Sequence, residues 1–219
     1  MIADEVVVAL NTDEFISDSD FFNKICKYSE IETPKKFVQI LSLLNNDILA
    51  NNGKVIIWTI FIQNAKELQN YLLLNGIKSN LLIGEISQPD RELTIEKFND
   101  PDNSEFQVVI ANPFSVAESI SLHKGCHNAI YLERDYNCSN FLQSKDRIHR
   151  VGLDENQITR YYYFISKDSI DEVINHRLLL KIARMEEVIN DDIPLFSRID
   201  DNDETDIIKE LIANYAQRS

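Results

Sequence analysis

Lys54–Phe61 reads KVIIWTIF. The unbroken apolar run Val55–Trp58 leaves no polar face, whereas a strand with one face in water alternates apolar and polar residues. Such a run marks a strand covered on both sides, the usual state of a strand in a parallel sheet. The next segment supports this. Residues 64–75 repeat apolar positions at helical spacing, with Ala65, Leu68, Leu72 and Leu73 inward, and Gly76 stands where a helix C-cap needs it.

The alternation continues along the chain. Leu81–Ile83 predicts a second strand. A helix then opens at Pro89 and Asp90 and runs through Phe98, with Leu93 and Ile95 as its other apolar positions. Phe106–Ala111 (FQVVIA) is a third strand, Ala129–Leu132 (AIYL) a fourth and Arg160–Ile165 (RYYYFI) a fifth. A helix spans 138–150 between the last two, and Ser169–Ile189 closes with Ile170, Val173, Ile174 and Ile182 periodic. Strands separated by helices need crossover connections. They therefore predict an α/β domain with a mainly parallel central sheet covered by helices on both faces. Ligands of such sheets bind beyond the carboxyl ends of the strands. The loops after Trp58, Ala111 and Leu132 fall there.

The ends extend this core. Thr33 is placed as an N-cap with Pro34 at the first helical position, and Phe37, Leu41, Leu44 and Ile48 form one stripe. Residues 20–28 predict a shorter helix, 191–206 a loop, and Ile207–Tyr215 a last amphipathic helix. The chain divides on this reading into a helical acidic extension over 1–32, a core over 33–190 and an acidic tail over 191–219.

Charge and composition narrow the functions. The 219 residues carry a net charge of −14. Residues 1–35 contribute −5 and residues 185–219 contribute −7, which leaves the middle near neutral. That distribution argues against a freely binding nucleic-acid module. It is compatible with a basic protein partner at the acidic ends. No apolar run approaches a membrane span. Cys26, Cys126 and Cys138 are odd in number and widely spaced, which predicts reduced thiols and a cytoplasmic protein. His123 and His127 stand at i, i+4, but no further ligand has suitable spacing, so no metal site is assigned.

Chemistry concentrates in residues 143–152, Gln-Ser-Lys-Asp-Arg-Ile-His-Arg-Val-Gly. Gln143, Arg147 and Arg150 stand at i, i+4 and i+7, one stripe of a continuous helix. Two guanidiniums and an amide on one face suit phosphate oxygens.

The pattern Gln-x-x-x-Arg-x-x-Arg resembles the last motif of superfamily-two helicases. Its longer form, Gln-x-x-Asp-Arg-Ile-His-Arg-x-Gly, is similar to that of the Swi/Snf-like DNA translocases. Other stretches resemble the same family in order: Lys54-Val-Ile-Ile-Trp-Thr, the Gly84–Phe98 segment GEISQPDRELTIEKF, Asn112–Leu122 (NPFSVAESISL) and Ser169-Ile170-Asp171. The likeness covers roughly 33–190. Ala117 and Ser119 stand where the family usually has glycine, and Ser121 where it has Asn.

The resemblance implies a three-layer RecA-like domain, the C-terminal one of two. Arg147 and Arg150 would be its arginine fingers, and Gln143, Glu118 and Ser119 would meet the nucleotide. Thr59, Asn112 and Ser115 would lie toward duplex DNA. ATP and Mg²⁺ would be held mainly by the N-terminal RecA-like domain of the same protein, since no Gly-x-x-x-x-Gly-Lys-[Ser/Thr] loop occurs in this chain. A second reading stays open, a catalytically degenerate module of the same fold used for protein–protein interaction. An unrelated doubly wound domain would leave the arginine stripe unexplained.

Overall fold

The structure is a computed structural model that describes residues 32–103, 105–116, 121–149 and 158–190. The chain divides into two units, residues 1–38 with 198–219 and residues 39–197. Of the first, residues 32–38 are described. There the Pro34 carbonyl accepts from the amides of Phe37 and Val38 and opens helix α1, Lys35–Leu43. The helix thus starts at Lys35, not at Pro34. The helices expected at 20–28 and 207–215 and the loop at 191–206 lie outside the described residues.

The second unit holds the sheet. Five strands, β1 Val55–Trp58, β2 Ser79–Leu82, β3 Val108–Ala111, β4 Asn128–Tyr131 and β5 Arg160–Tyr163, lie in the order β2-β3-β1-β4-β5. Every pairing is parallel. All four residues of β1, β3 and β4 are buried, as the unbroken apolar runs of β1 and β3 require, and the one polar member, Asn128 of β4, donates to the Lys54 carbonyl. The outer strands tolerate polar residues: β5 (RYYY) has none fully buried and β2 (SNLL) only Leu82. β1, β3 and β5 are shorter than the runs that announced them, whereas β2 and β4 begin two residues and one residue earlier than expected. Phe61 lies beyond β1 and is exposed, and Ile165 lies beyond β5.

Side chains alternate across the sheet. Ile56, Trp58, Val109, Ala111, Ala129 and Tyr131 share one core cluster with Phe98, Phe141 and Leu178. That face is therefore covered by α3 (Gln88–Asn99), α5 (Cys138–Asp146) and α6 (Ile170–Asn190). Helix α2, Ile62–Leu74, packs against β2 and β3 through Ala65, Leu68 and Leu72. The crossovers β1→β2 and β2→β3 run in opposite directions, so right-handed connections put α2 and α3 on opposite faces.

Local signals set the helix ends. After α2, Gly76 takes φ +80°, its amide donates to Leu73 and that of Ile77 to Leu72. These are the two bonds of a Schellman cap, and a non-glycine residue would be strained there. Ser87 caps α3, its Oγ accepting from the Asp90 amide. At the other end of α3, Lys54 is buried and its Nζ donates to the carbonyls of Phe98 and Asp100. Lys54 is thus a C-terminal cap for α3 from the next layer. Burial pulls its pKa down, opposed by the Asp100 carboxylate.

Three apolar positions singled out in the sequence lie outside the core. Leu73 and Leu93 are exposed, and Ile40 rather than Leu41 joins Leu44 and Ile48 in the core. Leu44–Ile48 is a π-helical turn, Leu49 donating to Leu44. Ile40 and Leu41 both precede this turn and flank one face of α1, so helical spacing alone does not choose between them. Leu93 sits on the solvent side of α3, which buries Thr94 and Phe98 instead.

Candidate functional site at the carboxyl edge of the sheet

The parallel register ends in one row: Leu82, Ala111, Trp58, Tyr131 and Tyr163. The loops after β1, β3 and β4 all leave from this edge. The strand order reverses at β1, which has β3 on one side and β4 on the other. The crevice of an open parallel sheet lies at such a switch point.

Helix α5 starts at this edge and runs back along the sheet. Asn137 caps it, its Oδ1 accepting from the Asn140 amide. Cys138, Phe141 and Ser144 face inward. The Phe141 ring lies 5.2 Å from Tyr131 and 6.0 Å from Tyr163. The Tyr131 hydroxyl meets Ser144 Oγ at 2.8 Å. Burial pushes the Tyr131 pKa far up and keeps the phenol neutral. With these residues inward, Gln143 is exposed, its amide 3.4 Å from Ser139 Oγ.

The helix stops at Asp146 rather than 150, with Arg147 as its C-cap. The Arg147 carbonyl accepts from the Leu122 amide at 2.9 Å, and Ile148 drops into the core with no exposure. The helical stripe thus joins Gln143 to Arg147, where the helix ends. Arg150, Glu118 and Ser119 lie outside the described residues.

Thr59 is fully buried. Its hydroxyl donates to Glu133 Oε2 at 2.7 Å, so its side chain has no surface to offer. Asn112 is also buried and fully engaged. Its amide nitrogen donates to the Ile60 carbonyl at 2.6 Å, and its Oδ1 accepts from the Phe114 amide at 2.9 Å. It caps α4, Pro113–Val116. Ser115 is half-buried on α4, and its carbonyl accepts from Arg91 at 3.0 Å.

Three further residues that were not among the expected site residues shape the edge. Arg91 also donates to the Ile83 and Ile86 carbonyls and so ties the loop after β2 to α4. Glu133 accepts from Thr59, from the Ile60 amide at 3.2 Å and from the Asn64 amide group. Arg134 donates to Asn175 Oδ1 at 2.7 Å and lies 4.6 Å over the Tyr163 ring. A shallow pocket opens here, lined by Ile60, Phe114, Tyr131, Glu133, Arg134 and Phe141 among others. None of Thr59, Asn112, Ser115, Gln143 and Arg147 lines it. The polar pair after AIYL, at the end of a buried strand, was the available sign for Glu133 and Arg134.

Comparison with known proteins fits this geometry. The family described as helicase conserved C-terminal domain matches residues 35–152, more than half of the chain. Helicase SWR1 of Debaryomyces hansenii is 30% identical over 137 residues, which is 63% of this chain and 8% of that protein. The human SWI/SNF-related matrix-associated actin-dependent regulator of chromatin subfamily A member 1 is 24% identical over 160 residues, 65% of this chain and 15% of that protein. The chain thus spans a small fraction of the curated relatives it matches. Among solved structures, the C-terminal part of the Fun30 ATPase domain superposes with a TM-score of 0.66 at 25% identity, covering 91% of this chain and 60% of that one.

These relatives overturn one expectation. A protein named as a regulator of chromatin works in the nucleus, so the cytoplasmic placement does not stand. The physical reason is simple. Sparse, unpaired cysteines separate reducing from oxidising compartments and cannot separate cytosol from nucleus. With a parallel RecA-like sheet, the matched motifs at its carboxyl edge and the family match in agreement, this chain belongs to the helicase conserved C-terminal domain family, in its Swi/Snf-like branch.

Proposed function

We propose that this domain, over residues 33–190, is the second RecA-like half of an ATP-dependent DNA translocase. It supplies arginines to a nucleotide held mainly by an N-terminal RecA-like half of the same protein. The observation that carries the reading is the Leu122–Arg147 backbone bond of 2.9 Å. It joins the end of the Asn112–Leu122 segment directly to the end of α5, so two motifs separate in sequence are bonded to one another.

In this mechanism Arg147 and Arg150 neutralise charge that develops on the γ-phosphoryl group, and Gln143 positions it. Glu118 and Ser119 approach the nucleotide from the neighbouring loop. Among the described residues no cluster of His, Cys, Asp or Glu could hold a metal ion. Mg²⁺ is assigned to the other half on the resemblance, since this chain has no Gly-x-x-x-x-Gly-Lys-[Ser/Thr] loop. The segments of Thr59, Asn112 and Ser115 form part of the surface that tracks duplex DNA. Because the Thr59 and Asn112 side chains are engaged inside the domain, they shape that surface rather than touch DNA. The acidic ends offer a contact for a basic protein partner.

The test is DNA-stimulated ATP hydrolysis by the protein carrying both halves, with Arg147→Ala compared to wild type. A turnover left within a few-fold of wild type defeats the reading.

A further inference from the structure

The loop between β1 and α2 is held from both neighbouring strands. On one side, Glu133, just beyond β4, takes the Ile60 amide at 3.2 Å and the Thr59 hydroxyl at 2.7 Å on Oε2. On the other side, Asn112, just beyond β3, donates to the Ile60 carbonyl at 2.6 Å. Both backbone polar groups of Ile60 are thus fixed by residues 52 and 73 positions away. Glu133 reaches further, since its Oε1 also accepts from Asn64 in the first turn of α2. The N-cap of α2, Phe61, has no capping side chain, and its first turn contains no acid. The Glu133 carboxylate supplies from across the sheet the negative charge that a helix N-terminus favours.

The same segment leads on to the arginine helix. Glu133 lies between the end of β4 at Tyr131 and the start of α5 at Cys138. It therefore connects the Thr59–Ile62 loop, whose Phe61 and Ile62 side chains are exposed, to the element that carries Gln143 and Arg147.

We propose that Glu133 is a positioning residue that fixes the Thr59–Ile62 loop in the geometry with which the domain grips duplex DNA. The proposal rests on the translocase reading above. Glu133 touches neither nucleotide nor DNA and acts through the loop it holds. A carboxylate is required because three donors converge on it. An isosteric amide would turn one donor against the Ile60 or Asn64 N–H groups.

The test is Glu133→Gln in the protein carrying both halves, read as DNA-stimulated ATPase against duplex concentration. The expected result is a rise of about tenfold in the duplex concentration for half-maximal turnover, with turnover at saturating duplex falling much less. Thr59→Val, which removes one donor and keeps the shape, should shift the same parameter the same way. The double variant should be no worse than Glu133→Gln alone, because both changes break one unit. Amide exchange at Ile60 should accelerate in Glu133→Gln of this chain.

An unmoved half-saturation overturns the proposal, whatever happens to thermal stability. So does a fall in turnover without a shift in half-saturation, or unaltered exchange at Ile60. A wild-type protein with no DNA stimulation overturns the translocase reading itself and the proposal with it. A wild-type response that Glu133→Gln leaves untouched overturns the proposal alone. Lys66→Ala, at the exposed Lys66–Glu85 pair, is the control.

Discussion

The Leu122 amide donates to the Arg147 carbonyl at 2.9 Å, and this bond explains why α5 ends where it does. A carbonyl in the last turn of a helix needs a partner from outside the helix. Here the loop after β3 provides it, and Ile148 turns into the core directly after. Arg147 is thereby held at a junction between two segments instead of midway along a rigid helix.

Lys54 offers a direct test of how the layers are joined. Lys54→Met keeps the length of the stem but removes both bonds to the end of α3. The Phe98 and Asp100 carbonyls lose their donor. The expected loss is about 2 kcal/mol, or roughly 4–8 °C in melting temperature for a chain of this size. A drop of under a degree would show that water replaces the ammonium without cost.

Cys126 gives the chain an alkaline weakness. Its thiol is fully buried, and burial pushes its pKa up to about 12 from an ordinary 9.0. The folded pKa is raised, so the unfolded chain loses its proton first. The stabilisation is complete below pH 9 and fades between 9 and about 12. Tyr161, raised by burial to about 12 from 10.0, acts in the same direction at slightly higher pH. Urea denaturation at pH 8, 9, 10 and 11 should show stability falling with pH, and Cys126→Ala should flatten the first part of that fall. Equal slopes for the two proteins would refute the assignment. In the folded state the thiol should also resist thiol reagents at pH 8, since the thiolate is the reactive form.

The strands were legible because burial on both faces writes an unbroken apolar run. Val55–Trp58 and Val108–Ala111 needed no more than that. What escaped depended on distant partners. Thr59 looked like a surface residue at a strand end, yet its hydroxyl bonds Glu133, 74 positions away. The end of α5 likewise depends on Leu122. Leu41 reads as inward in place of Ile40 because the two flank one face of α1 and helical spacing does not separate them. Arg150, Glu118 and Ser119 rest on the resemblance alone.

The chain by itself should be inert. It contains no phosphate-cradling Gly-Lys loop. ATP hydrolysis by the purified 219 residues should not exceed a buffer blank. Binding to duplex DNA should be poor at physiological salt, because the net charge is −14 and phosphate contacts supply most non-specific affinity. Removing 191–219 should strengthen binding if it changes it at all. Robust DNA-stimulated turnover, or submicromolar duplex affinity, would mean that the division of labour between two halves is wrong.

The last prediction separates a transition-state arginine from a binding one. In the protein carrying both halves, Arg147→Ala and Arg150→Ala should each lower kcat far more than they raise KM for ATP. Losses on the order of 10³–10⁵ are typical of arginines that meet the γ-phosphoryl group. Lysine at either position should rescue poorly, since a point charge cannot match the planar fork of a guanidinium. The fold should survive both changes. Arg147 contributes its carbonyl to the Leu122 bond, and a backbone group persists through any side-chain substitution. Melting temperatures within a few degrees of wild type would separate lost chemistry from lost structure. If KM for ATP rises while kcat holds, the arginines bind the ground-state phosphates, and the arginine-finger role assigned to them is wrong.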